Sequence, residues 1–191
     1  MTPSTTSALL SFEDYVAYDD GTEKRYELVN GELVEVTPPT FRHMLIAKFI
    51  EQRLDAEIAR LGLGWFCFRE AGVRTGVRKS RLTDVYVLTP EQVSSLMNRA
   101  AIAQTPPLLA VEVVSPDSVA RDYRYKRTEY AALEIPEYWI VDPLESKVTV
   151  LTFNEGLYDE AVFVEDQALA SPTFPELTLT VDQILAAGKL P

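Results

Sequence analysis

The stretch LLAVEVVSPDS, residues 108–118, places one glutamate inside a short apolar segment. Its residues up to Ser115 are apolar or small except for Glu112, and Ser115-Pro116 ends the run. Such a segment predicts a short strand that is buried on both faces. An ionised carboxylate is costly in that environment unless it is paired or binds a metal ion. The sequence therefore predicts that Glu112 has a partner from another part of the chain.

The segments around this strand predict the rest of the fold. Asn30-Gly31 lies between alternating apolar residues and is typical of a type I′ hairpin turn, because both residues tolerate a positive φ. Thr40 precedes a long segment with apolar residues at helical spacing and can cap that helix. Strands are predicted at 65–73, 82–88, 108–114 and 137–142, with hairpins at 26–36 and 148–164. Helices are predicted at 12–18, 40–62, 89–99, 119–133 and 181–187.

This order of elements predicts an α/β (α+β) fold, in which a mixed sheet is flanked by helices and carries extra β-hairpins at both ends. The chain has 191 residues, of which 47% are hydrophobic and 25% charged, so one globular domain over 1–191 is expected. The first ten residues are predicted to be disordered. The sequence has no basic N-terminal region and no long uncharged apolar run, which favours a soluble cytoplasmic protein with no membrane segment.

The rare residue types limit the chemistry of any metal site. A lone cysteine, Cys67, excludes an intrachain disulfide and a multi-cysteine zinc site. The lone histidine, His43, argues against a histidine-built site. Any metal is therefore predicted to be a hard cation with oxygen ligands, such as Mg²⁺ or Mn²⁺.

The charge of the chain argues against binding nucleic acid by bulk electrostatics, since the formal net charge is -11. Two local segments are nevertheless basic, REAGVRTGVRKSR at 69–81 and RDYRYKR at 121–127. On charge alone, two solvated basic faces explain them equally well. Residues 74–80 within the first segment are predicted to form a turn.

Alternation of side chains along strands suggests a place where acids meet. Asp84 on one predicted strand and Glu112 on the next can approach each other if these strands are neighbours. The helix that follows Glu112 carries Asp122, Lys126 and Tyr130 at i, i+4 and i+8, which is one helical face. A lysine on that face could lie near a metal ion, orient a water and neutralise charge on a phosphate.

Five segments, in this order, resemble the Uma-type restriction endonucleases of the PD-(D/E)xK nuclease superfamily. They are YELVNGELVEV, the TD of RLTDVYV, VEVVSPDS, DYRYKRTEY and PEYWIVDP. The resemblance covers about residues 26–143, the expected core, and implies a restriction-endonuclease-like fold. It implies that Asp84 and Glu112 are metal ligands. Val114 stands where the superfamily motif has its lysine, and the residue that resembles the family's relocated lysine is Lys126.

The resemblance also implies roles for residues outside the acid pair. Glu27 resembles an acidic position that could approach the same metal ion, and His43 resembles a recurrent histidine that could be accessory, as could Asp122 and Tyr130. Thr83 stands where the family usually has proline, a departure expected to affect the local backbone more than the chemistry.

Simpler roles compete with these. Asp84 could be a solvated strand residue, and Glu112 could be paired with Arg74 or Arg127. Lys126 could pair with Asp122 or Tyr130 on an exposed helix face. Glu27 could lie on the outer side of its hairpin.

The function implied is a Mg²⁺- or Mn²⁺-dependent DNA endonuclease that uses a metal-activated water, with catalytic residues Asp84, Glu112 and Lys126. Backbone phosphates would be contacted by the basic residues Arg74, Arg78, Lys79 and Arg81. Cleavage of both strands requires two sites, which favours a homodimer. The alternatives are a catalytically inactive nuclease-fold module that binds protein or nucleic acid, and a hydrolase of small phosphoesters.

Overall fold

A computed structural model describes residues 9–190, and within them nine strands form one mixed sheet. The strands are β1 Tyr26–Val29, β2 Glu32–Glu35, β3 Phe66–Gly76, β4 Lys79–Leu88, β5 Ile102–Ala103, β6 Leu109–Val113, β7 Glu137–Asp142, β8 Lys147–Asn154 and β9 Leu157–Val164. The helices are α1 Phe12–Val16, α2 Phe41–Arg60, α3 Pro90–Leu96, a π-helix Arg121–Lys126 that continues into α4 Arg127–Ala132, and α5 Val181–Ala186. The predicted fold class is confirmed. The disorder predicted for the first ten residues falls, for residues 1–8, outside the described part of the chain.

Strand β4 positions the elements around the candidate site. On one edge, β3 pairs antiparallel with β4 along most of its length. On the other edge, β1 pairs with the beginning of β4 through Leu28 and Ser80, and β6 pairs with its end, from Val85 to Val87. Within the described chain, the stretch of β4 between these two partners has no strand beside it on this edge. Side chains can therefore reach the backbone of β4 there.

The remaining strands extend the sheet from β6. Strand β6 pairs in parallel with β7, and β8 and β9 follow in antiparallel order. The crossover from β6 to β7 contains the π-helix and α4. A parallel pair requires such a crossover, and it brings the start of this helix next to the end of β6.

Two hydrophobic clusters cover the two faces of the sheet. Helices α2 and α5 pack on one face, where alternate residues of β4, β6 and β7 such as Val85, Val111 and Trp139 are fully buried. The other face carries α4, with Tyr130 packed against Tyr138 and Ile140. Strand β6 is buried on both faces, as its composition predicts.

Local signals explain where several elements begin and turn. Asn30 and Gly31 both have positive φ, 53° and 88°, as the type I′ turn requires. The Thr40 side chain accepts a hydrogen bond from the backbone N–H of His43 at 3.2 Å and caps α2. None of the helices within residues 9–190 combines the length and the apolar composition needed to cross a lipid bilayer.

The structure differs from the sequence-based expectations in three places. The basic segment 74–80 is not a turn throughout, because β3 extends to Gly76 and β4 begins at Lys79. The short strand β5, which pairs in parallel with β3, was not predicted. The helix predicted at 119–133 contains a π-helical segment, Arg121–Lys126, a rare conformation with wider i→i+5 hydrogen-bond spacing.

Candidate functional site

A cavity of about 190 Å³ opens at the interrupted edge of β4. Its lining comes from the first hairpin, the start of α2, one residue of β3, the middle of β4, the end of β6 with the loop that follows it, and the π-helix. The predicted site residues Glu27, His43, Asp84, Glu112, Asp122 and Lys126 all belong to this lining. The fold thus brings together residues that are separated by almost a hundred positions in the chain.

Glu112 is buried at the floor of the cavity, with 2% of its surface exposed. Its Oε2 atom lies 2.7 Å from Nζ of Lys126, and its Oε1 atom accepts a hydrogen bond from the Tyr130 hydroxyl at 2.7 Å. The partners proposed as alternatives, Arg74 and Arg127, are not the ones that Glu112 contacts. Burial raises the pKa of Glu112 well above its ordinary value, and Lys126 opposes this effect while the charge of Asp84 adds to it.

Lys126 is buried rather than exposed on a helix face. Its ammonium group also donates to the Leu82 carbonyl at 2.8 Å, and lies 3.8 Å from Asp122 and 3.9 Å from Glu27. Burial disfavours the charged form, but the surrounding carboxylates outweigh it and raise the pKa of Lys126. Lys126 is therefore an ammonium ion fixed against Glu112. Val114, at the position where the superfamily motif has lysine, is buried in the apolar cluster beside Tyr130.

Asp84 is held on both carboxylate oxygens. Oδ1 lies 3.0 Å from Nε2 of His43, and Oδ2 accepts from the backbone N–H of Val113 at 2.7 Å. The strands β4 and β6 are neighbours, as required for the predicted meeting of the acids. Val85 lies opposite Val111, so Asp84 and Glu112 are the next residues on the two strands. Burial would raise the pKa of Asp84, but its hydrogen bond to His43 and the positive charges of His43 and Lys126 hold it below its ordinary value.

The contact between His43 and Asp84 should make the stability of the fold depend on pH. Burial lowers the pKa of His43, but the hydrogen bond and charge of Asp84 outweigh it and the net shift is upward. Because the folded protein then binds this proton more tightly, the pair stabilises the fold fully below about pH 6.5 and less as pH rises through the folded pKa. The loss of unfolding free energy in His43→Phe, from urea unfolding, should be larger at about pH 5.5 than at about pH 9. Equal losses at the two pH values would contradict this.

The remaining predicted accessory residues support Glu112 and Lys126. Asp122 is buried and accepts a hydrogen bond from the Ser118 hydroxyl. The Tyr130 hydroxyl also forms a hydrogen bond with Oγ1 of Thr83 at 2.9 Å. Thr83 stands at the position usually held by proline in the family. Its hydroxyl gives the site a polar contact that proline could not make.

Arg81 is buried and bonded to carboxylates, so the structure gives no support to the phosphate contact predicted from its charge. It is 5% exposed, because its position on β4 directs it inward. Its guanidinium group bonds Glu27 at 2.9 Å and both oxygens of Glu129 at 2.7 and 2.8 Å. Thr75 completes the cluster with a hydrogen bond to Glu129. In this arrangement the guanidinium group binds carboxylates of the protein itself.

Glu27 lies inside the molecule and not on the outer side of its hairpin. Oε2 pairs with Arg81, and Oε1 accepts from the backbone N–H of Leu82 at 3.1 Å. Glu27 and Lys126 thus satisfy the N–H and C=O groups of Leu82 where β4 lacks a strand neighbour. Both carboxylate oxygens of Glu27 have partners in the protein, so Glu27 stabilises the open edge of β4. Its assistance to a metal ion stays a prediction.

The other three predicted phosphate contacts lie outside the cavity lining. Arg74 lies over the ring of Phe12, at 4.1 Å from its centroid, and Lys79 is 3.6 Å from Glu129. Arg78 is exposed at the β3–β4 turn, about 20 Å along the strand from Asp84 at about 3.3 Å per residue. Two arginines that were not predicted as site residues, Arg25 and Arg121, line the cavity. Arg121 begins the basic segment 121–127, which was a signal in the sequence.

The donor set of the cavity fits a hard divalent cation. Each oxygen of Asp84 and Glu112 has one close partner from the protein, so each keeps a lone pair for another. Within residues 9–190 no three His, Cys, Asp or Glu side chains surround a common metal position. A cation such as Mg²⁺ is commonly held by one or two carboxylates, and waters and phosphate complete its shell.

The fold belongs to the restriction-endonuclease-like class of nuclease folds. The structure is similar to a crystal structure described as "a putative nuclease belonging to DUF820" from Anabaena variabilis, with a TM-score of 0.79 and 19% sequence identity over 94% of this chain and 99% of that chain. At this identity the likeness concerns the fold. The type IIG restriction endonuclease BpuSI gives a TM-score of 0.41 and 12% identity over 82% of this chain and 17% of that chain, a similarity too low to carry an argument.

The family is shown by sequence. The model of the Uma2 family, described as "Putative restriction endonuclease", matches residues 12–182. The chain therefore belongs to the Uma2 family, and the predicted resemblance is confirmed. Family and fold together support a nuclease. A search of curated proteins found no match to this chain.

Proposed function

We propose that this chain is an endonuclease that hydrolyses phosphodiester bonds of DNA, with Mg²⁺ or Mn²⁺ held by Asp84 and Glu112. One observation carries the proposal: the buried ammonium group of Lys126 lies 2.7 Å from Glu112, in a cavity that Asp84 also lines. Burying two acids and a lysine at one open cavity is costly for stability alone, which favours a role in chemistry.

Each residue has a distinct part in this proposal. A bound divalent cation would activate a water and polarise a phosphoryl oxygen. Lys126 would keep its positive charge beside Glu112 and neutralise charge that develops on the phosphate. Tyr130 would orient Glu112, and His43 would orient Asp84, through the hydrogen bonds described above.

Two further expectations from the sequence are retained as proposals. A homodimer would supply the second site needed to cut both strands. A cytoplasmic location fits the lone buried thiol of Cys67, because reducing compartments keep thiols free.

Plasmid nicking tests the proposed activity. Wild-type protein should nick supercoiled DNA in Mg²⁺ or Mn²⁺ and not in EDTA. Glu112→Gln should cut at least about 100-fold more slowly, because it removes the charge that would hold the cation. The matched control is Glu137→Gln, which replaces a fully buried glutamate at the opposite end of the paired β6 and β7 strands. Folded Glu137→Gln protein should cut at the wild-type rate.

The alternatives predict different results in the same assay. An inactive binding module would show no cleavage by the wild type with any of the metals and DNA forms tried. A hydrolase of small phosphoesters would cleave a chromogenic diester but show no salt-sensitive affinity for DNA. Equal cutting by wild type and Glu112→Gln would remove the proposed role of the acid pair.

A further inference from the structure

Two residues that line the cavity each carry a buried nitrogen atom whose hydrogen-bonding capacity is unused. Within residues 9–190, four buried side-chain polar atoms have no hydrogen-bond partner, and two of them belong to residues of this one cavity. They are Nδ1 of His43 and Nε of Arg121. Buried polar groups are nearly always paired in folded proteins, so exceptions that share one cavity indicate a ligand that completes them.

Arg121 is the more informative of the two, because its donors do not depend on a protonation state. It is the first residue of the π-helix, and its side chain is 32% exposed at the cavity. Its ion-pair contact in the described chain is a long one, 3.9 Å from Nε to Asp122. By contrast, the guanidinium groups of Arg81 and Arg69 are held by carboxylates at 2.6 to 2.9 Å.

The ligand suited to this wall is an anion. The acids Asp84 and Glu112 suit a cation, whereas Arg121 would repel one. The twenty-residue helix α2 also begins at this cavity, where Thr40 and His43 line it, and helix N-termini favour negative charge. A guanidinium group matches the oxygens of a phosphate in geometry as well as in charge.

We propose that Arg121 binds a non-bridging oxygen of a DNA backbone phosphate and holds the phosphodiester against the acid pair. This inference rests on the proposed function, since it takes DNA as the ligand. Arg121, which lines the cavity, takes the phosphate-binding role that the sequence predicted for the buried Arg81. Arg121 binds the substrate equally before and during the reaction, so its loss raises KM more than it lowers kcat.

The binding experiment uses Arg121→Gln and a matched variant, Arg124→Gln. Arg124 is exposed in the same basic segment and is not part of the cavity lining, so both variants lose the same charge. Affinity for a labelled DNA duplex is measured by fluorescence anisotropy in EDTA, where metal-dependent cleavage cannot interfere. Arg121→Gln should weaken binding about 10-fold and reduce the salt slope by about one, while Arg124→Gln changes affinity less than about twofold.

A second arm uses inorganic phosphate as the probe. In protein labelled with ¹⁵N-arginine, added phosphate should shift one Nε–H resonance that is missing from Arg121→Gln. A shift with phosphate and a specific loss of DNA affinity both support the inference. Equal effects of the two variants on DNA binding, or no binding of DNA and phosphate by the wild type, would overturn it.

Failure of this inference can be told apart from failure of the proposed function. Wild-type protein that binds DNA through Arg121 but never cuts it refutes the catalytic proposal and leaves the inference standing. Wild-type protein that cuts DNA while Arg121→Gln binds normally, with an unchanged KM, refutes the inference and leaves the catalytic proposal standing.

Discussion

Lys126→Met is expected to lower the rate of DNA cleavage by about 100- to 1,000-fold, the effect of removing one preorganised charge from a buried site. The ammonium group of Lys126 is the cation in contact with Glu112, at 2.7 Å, and it also fixes the Leu82 carbonyl. Methionine keeps most of the side-chain length without the charge. Glu112 can take up a proton in the variant, because burial already raises its pKa.

Cleavage rates in Mn²⁺, with wild type and variant at equal folded concentration, measure this effect. Lys48→Met is the matched control, because Lys48 is exposed on α2 and lies outside the cavity lining. Its rate should equal that of the wild type. Lys126→Met should still bind DNA, since Arg121 remains. A folded Lys126→Met protein that cuts within about threefold of the wild-type rate would show that this lysine has no part in the chemistry.

Arg81→Met should lower the free energy of unfolding by about 3–5 kcal/mol, the usual cost of breaking a buried ion pair. The substitution leaves Glu27 and Glu129 buried without their cation, and Lys79 reaches Glu129 only at 3.6 Å. Urea unfolding at neutral pH measures the loss. Arg78→Met, three residues away at the exposed turn, should change stability by less than about 0.5 kcal/mol.

A double variant tests whether the loss of stability comes from breaking the ion pair between Arg81 and Glu129. Arg81→Met combined with Glu129→Gln should be less destabilised than the sum of the two single changes, because the second change removes a carboxylate that the first leaves unpaired. Additive losses, or a neutral Arg81→Met variant, would mean that the buried cluster does not stabilise this part of the sheet.

The features predicted well from sequence depend on local rules. The Asn30-Gly31 turn follows from backbone sterics, and the Thr40 cap follows from the unpaired N–H groups of a helix start. The continuous apolar run of β6 predicts burial on both faces, which is why Glu112 could be identified as a residue that needs a partner.

The features that were missed depend on which strands become neighbours. In the sequence Arg81 is one of several basic residues, but in the fold it is directed inward from β4 and bonds Glu27 and Glu129. Those two carboxylates come from β1 and α4, so the burial of Arg81 depends on which elements lie against β4. The π-helix places Arg121 and Lys126, five residues apart, in the lining of one cavity. Neither arrangement can be read from residue spacing along one segment.

The most direct test of the central claim is a crystal structure of the protein at saturating Mn²⁺, with anomalous diffraction used to locate the ion. The proposed site predicts an anomalous peak within about 2.5 Å of carboxylate oxygens of both Asp84 and Glu112. The same peak should be absent from Glu112→Gln crystals. Wild-type crystals in which the ion binds elsewhere, or in which Lys126 still occupies the Glu112 carboxylate with no ion beside it, would contradict the claim.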